Sequence, residues 1–154
     1  MASEWDWESG KGLLGIDDPA EWDAAFERGE QHLGTAAIGL AFQCSLDEAS
    51  PRIVRAMQLP DRDERGFAFT AAGTVARLNG ELTPELYSAL RAVGHRGLAE
   101  TAVDDTLTFV PFRDLPPWFK WRKIASKVQD KLKTWRLEFT YTVSDAWKAL
   151  RRRR

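Results

Sequence analysis

Few residues in this chain combine the types and spacings that chemistry requires, and those few fall in polar turns. His32 and His95 lie in corresponding turns between helices, without metal-ligand spacing. Asp61-x-Asp63 has the form of a divalent-cation pair, but a helix N-terminus uses the same residues to accept its free amides, and capping is the reading adopted. Asp104-Asp105 is a second acidic pair, read as a solvated face. Cys44 lies in an uncharged run and is read as a buried small residue rather than a nucleophile. Gly10-Lys11-Gly12 lacks the spacing of a phosphate loop and follows no strand. The sequence has no zinc signature, nucleophile elbow or glycine-rich phosphate cradle. The expectation is a non-catalytic protein with no cofactor and no metal.

The chemistry that the sequence does carry is electrostatic. Residues 1–118 hold 10 Arg/Lys against 20 Asp/Glu, and residues 119–154 hold 12 against 3, so a net charge of −1 conceals an acidic body and a basic tail. Two candidate surfaces follow. The acidic turns, Asp61, Asp63, Glu64, Asp104 and Asp105, are expected to bind another protein, a basic one being the best fit. Lys120, Lys123, Lys127, Lys131 and Arg151 are the alternative, an anion-binding set for nucleic acid or an anionic membrane surface. The acidity of the body weighs against nucleic acid as the main ligand.

At 154 residues the chain is one domain by size, with length enough for a core. A single cysteine permits no internal disulfide, and the start carries no basic, apolar leader. The uncharged stretch of residues 32–46 is too short and too polar to span a bilayer. The expected compartment is the cytoplasm, and the arginine- and alanine-rich composition suggests a bacterial one.

The elements that must position these groups are read from apolar spacing. Residues 1–17 form an irregular acidic arm whose Trp5 and Trp7 cover an apolar edge or meet a partner. Asp18-Pro19-Ala20-Glu21 starts a helix with Trp22, Ala25 and Phe26 on one face. The run from Leu33 to Leu46 has no charge, so a helix there must be covered on several sides. Ser50-Pro51 starts the next helix, Arg52 to Leu59, and a second follows from Gly66 to Leu78. Phe67, Ala71, Val75 and Leu78 line that second helix, and Asn79-Gly80 stops it. Thr83-Pro84 restarts the cycle with Leu86, Ala89 and Leu90, and Leu98 to Phe109 completes it. Beyond Trp118, the residues Trp121, Ile124, Val128, Leu132 and Trp135 recur at three- and four-residue spacing. That stripe is read as core, covering the end of a stack, with lysines facing water. Residues 137–143 alternate like a strand and also fit a helix, the reading preferred.

Pro51, Pro84 and Pro117 are 33 residues apart, and Thr35-Ala36-Ala37 is echoed by Thr70-Ala71-Ala72. Helix–turn–helix units with this period predict an all-α fold, a short α-solenoid of about three to four antiparallel helix pairs. Residues 18–117 form the repeats, and residues 118–154 a basic capping unit of the same domain. The run Asp61-x-Asp63-x-Arg65-x-x-Ala68-x-x-Ala71-x-Gly73 resembles a HEAT-like repeat. That resemblance implies that the turn aspartate and arginine tie neighbouring units, and that small residues let the second helix pack closely. Thr83-Pro84 and Gly94-His95 resemble an ankyrin repeat more weakly. Stacked helix pairs present a continuous surface, so the expected function is protein binding, as an adaptor or an inhibitor of the immunity type.

Overall fold

A computed structural model describes residues 5–151, with side chains to residue 142. The described residues hold seven α-helices: α1 (Pro19–Arg28), α2 (Leu33–Gln43), α3 (Leu46–Ala56), α4 (Arg62–Asn79), α5 (Pro84–Val93), α6 (Glu100–Phe109) and α7 (Pro117–Arg151). Short 3-10 turns lie at Leu13–Gly15, Gly97–Ala99 and Phe112–Asp114, and no strand occurs among the described residues. The fold is all-α, and residues 137–143 belong to α7. The chain divides after Pro116 into two compact units.

Within the first unit the helices form two rows. α4 packs between α2 and α6, while α3 packs between α1 and α5 and also against α2 and α4. Glu64 meets Gly34 where α4 and α2 begin, and Gly80 meets Phe109 where α4 and α6 end, so α2, α4 and α6 run parallel. The composition of α2 and α4 explains why they form the inner row. Leu33, Gly34, Ala36, Ala37, Gly39, Leu40 and Ala41 are buried in α2, with Ala68, Phe69, Ala71, Ala72, Gly73, Val75 and Ala76 in α4. Such small side chains allow close axis-to-axis approach. A Cβ at Gly34 would overlap the Glu64 carbonyl oxygen, and one at Gly73 would lie 2.7 Å from Asp105 Oδ2 and 3.4 Å from Ala102 Cα.

The outer row is joined by charge as well as by packing. Asp23 of α1 accepts from Arg52 and Arg55 of α3, and Arg55 also lies 4.0 Å over the Phe26 ring. These groups are partly exposed, so each pair contributes at most about 1 kcal/mol. The N-terminal arm packs tightly: Trp7, Leu13 and Ile16 are buried, and Trp7 Nε1 donates to Glu21 Oε1 at 3.0 Å. Its Leu13 carbonyl sits where a Cβ on Gly39 would be, so the arm lies directly on α2.

Three expectations are corrected. α3 begins at Leu46, well before Arg52, because Ser45 and Glu48 close a capping box there. Pro51 consequently lies inside α3, with no N–H to offer the Asp47 carbonyl, whereas Pro84 is the first residue of α5 and Pro117 the first of α7. The regular proline spacing therefore joins unlike positions. On α4, Phe67 and Leu78 are exposed and Phe69 is buried, because the core-facing side is the alanine side. The α7 stripe is not core: Trp121 is 73% exposed, Trp135 75%, and Ile124, Val128 and Leu132 are exposed as well. α7 is the only regular element of its unit among the described residues, so no second helix of that unit covers the stripe.

Gly73→Leu is expected to destabilise the first unit by roughly 1–3 kcal/mol in denaturant unfolding, since the larger side chain must displace α6 backbone as well as Asp105. An unchanged midpoint would contradict the close α4–α6 crossing.

Candidate functional site

The turns before α2 and α4 meet at the end of the inner row where those two helices begin. A groove of about 490 Å³ is lined there by Glu30, His32, Asp61, Asp63, Glu64 and Phe67, with Leu33, Leu59 and Pro60 among its apolar walls. Each wall has a local cause. Asp61 Oδ1 accepts from the Asp63 and Glu64 amides, both at 2.9 Å, and so caps α4. Arg65 donates to the Leu59 and Pro60 carbonyls at 2.7 Å and holds the turn before α4 in shape. His32 has left-handed backbone, φ 62°, and a Cβ on Gly10 would come within 3.0 Å of its ring, so the arm packs on this histidine.

Asp61 and Arg65 thus act within their own turn. The tie to the preceding helix pair comes from Glu64, whose Oε2 accepts from the Gly34 amide at 2.5 Å. Sequence reasoning missed that role, although a signal existed. His32-Leu33-Gly34 opens α2 without a serine, threonine, aspartate or asparagine, and α2 has no side-chain cap of its own. A helix that starts so must find acceptors for its first amides elsewhere, and a carboxylate from a neighbouring helix suits the positive end of its dipole.

The proposed acidic set divides accordingly. The groove gathers Asp61, Asp63 and Glu64, but Asp61 and Glu64 already accept backbone amides, and the neighbouring Glu30 pairs with Arg28 at 3.0 Å. Asp63 is exposed at its rim, with the 42%-exposed ring of Phe67 one turn along α4. Asp104 and Asp105 are not among the residues lining this groove. Asp105 lies several turns along the row, beside Gly73, and pairs with Arg77 at 2.9 Å, while Asp104 is exposed on α6. Arg77 also lies 5.5 Å from the Phe109 ring centroid, so it bridges α4 and α6 rather than marking a site.

The basic set lies on α7. Lys127 and Lys131 are exposed, Lys120 and Lys123 are half-buried, and the side chain of Arg151 lies outside the described residues. Lys133 and Arg136, exposed on the other side of the apolar stripe, complete a surface that the sequence set describes on one side only.

No group of three or more His, Cys, Asp and Glu side chains among the described residues could hold a metal ion. Cys44 is half-buried, and its thiol lies 3.6 Å from the Asp17 carbonyl oxygen as a weak donor. Desolvation raises its pKa first, and the Glu48 and Asp17 carboxylates raise it further. Because the thiolate is the nucleophile, Cys44 is expected to alkylate at neutral pH more slowly than a free thiol, measured against N-acetylcysteine with iodoacetamide. A rate equal to or above that of the free thiol would contradict this environment. Comparison with protein-family models, curated proteins and solved structures finds no match to this chain.

Proposed function

We propose that the chain is a non-catalytic, HEAT-like helical-repeat protein of the cytoplasm that binds another protein, as an adaptor or as an inhibitor of the immunity type. The groove between the starts of α2 and α4 carries this reading. Asp63 and Phe67 stand on a helix end held by its Asp61 cap and by the Glu64–Gly34 hydrogen bond. A surface already ordered in this way loses little further entropy when it meets a partner.

The chemistry of the groove fits a basic protein. A lysine or arginine of the partner would lie over the exposed Phe67 ring and against the Asp63 carboxylate, with Leu59 and Pro60 taking the apolar part of its side chain. The surplus of carboxylates in residues 1–118 would speed encounter with such a partner and make capture sensitive to salt. The parallel inner row supports the repeat reading, because stacking like helices side by side is how such repeats bury their faces.

Asp63→Lys combined with Phe67→Ala is expected to weaken partner binding by about 100-fold or more. The lost first-turn acid and the partly covered ring carry a stability cost of about 1–2 kcal/mol, which leaves the chain folded. The check is affinity capture from a host lysate at low and high salt, followed by titration of the captured protein. Capture that survives both substitutions and is indifferent to salt would overturn the reading.

A further inference from the structure

The apolar stripe of α7 is an exposed feature that the groove leaves unexplained. Trp121, Ile124, Val128, Leu132, Trp135 and Phe139 are between 45% and 75% exposed. At 3.6 residues per turn, Trp121, Val128, Leu132, Trp135 and Phe139, with Ile124 at one border and Ala125 at the other, fall within an arc of about 100°. Lys131 stands on one border with Lys127 just beyond it, Arg136 on the other with Lys133 further round toward the polar side, and Asp130 is opposite the centre of the arc. Glu138 is the one acid on those borders. From Leu137 onward the segregation weakens, because Leu137 and Tyr141 are exposed on the opposite side of the helix, at 59% and 71%.

We propose that the segment of α7 from Trp118 to Phe139 is a docking helix for an anionic lipid surface. It lies in the plane of the headgroups with its apolar stripe turned to the acyl chains. Three features of the chain select this occupant. Cations line both borders of the stripe, where their apolar stems can follow the acyl boundary while their charges reach lipid phosphates. Trp121 and Trp135 are separated by 14 positions, about 21 Å along the axis, and place an amphipathic ring at each end of the segment. No helix among the described residues is long and apolar enough to cross a membrane, so the helix rests on the surface.

The same features disfavour other occupants. A second copy packed on this stripe would set cation against cation along both borders. RNA or DNA would place phosphates where the cations converge, yet the centre of this face is Val128 and Leu132, which gain nothing from phosphate. The proposal is independent of the groove and its partner, since none of its residues lines that groove.

The test uses the full chain with vesicles of phosphatidylcholine alone and of phosphatidylcholine with phosphatidylglycerol, read by co-sedimentation at low salt. Binding is expected to the anionic vesicles and to be weak on the neutral ones. Lys127→Ala, Lys131→Ala and Lys133→Ala together should lower partitioning about 100-fold. Leu132→Ser with Trp135→Ser should abolish it at unchanged net charge, and a single-stranded RNA oligonucleotide should compete poorly. Absence of binding to anionic vesicles would overturn the proposal. So would tight RNA binding that is indifferent to Leu132→Ser and Trp135→Ser, or a sedimenting dimer that those two substitutions dissociate.

Discussion

At Gly34 the backbone of α2 comes so close to α4 that no side chain can stand between them, and the same point carries the hydrogen bond from the Gly34 amide to Glu64. Much of the first unit depends on this contact. It sets the distance between the first two inner helices, brings their starts level, and supplies an acceptor to a helix that has no cap of its own. An unsatisfied amide in its place would cost about 1–3 kcal/mol. The contact also shapes the groove, because Glu64 can reach Gly34 only if Asp61, Asp63 and Phe67 are carried to the same end of the row.

Close approach is repeated on both sides of that crossing. The arm reaches α2 at Gly39, and α4 reaches α6 at Gly73. The inner row is thus built from small residues at successive crossings, with the larger side chains Trp22, Ile53, Leu86 and Leu90 buried in the outer row. The ion pairs of the exposed faces, Arg52 and Arg55 with Asp23 and Arg77 with Asp105, add register more than stability. α7 follows a different rule. Its apolar residues are gathered into one exposed stripe, and among the described residues no second helix of its own unit covers it.

Much of this organisation is legible in the residues themselves. The charge-free run beginning at Leu33 implies a helix covered on several sides, and Asp18 and Thr83 announce two helix starts through their capping chemistry. The Asp61 cap, in contrast, starts α4 at Arg62, four residues before the Gly66 start read from the sequence. The start of α3 is harder to read, since Pro51 looks like an N-terminal proline while the Ser45–Glu48 box that decides the matter lies further back. The buried side of α4 depends on its neighbours: alanines at 68, 71, 72 and 76 outweigh Phe67 and Leu78 because only small side chains fit between α2 and α6. The Glu64–Gly34 bond joins residues 30 apart, a pairing that no local pattern specifies. The α7 stripe is evident as a periodicity, but periodicity does not say whether an apolar face is covered by the same chain.

The most direct measurement is the unfolding free energy of Gly34→Ala beside Gly15→Ala, by denaturant titration. A methyl group at Gly34 meets the Glu64 backbone, with its carbonyl carbon at 2.9 Å, whereas nothing lies within 4 Å of the same group at Gly15. The account predicts a loss of about 2 kcal/mol or more at Gly34 and a change within about 0.5 kcal/mol at Gly15. Equal stability of the two variants and the parent would contradict the close parallel crossing on which the inner row and its groove rest.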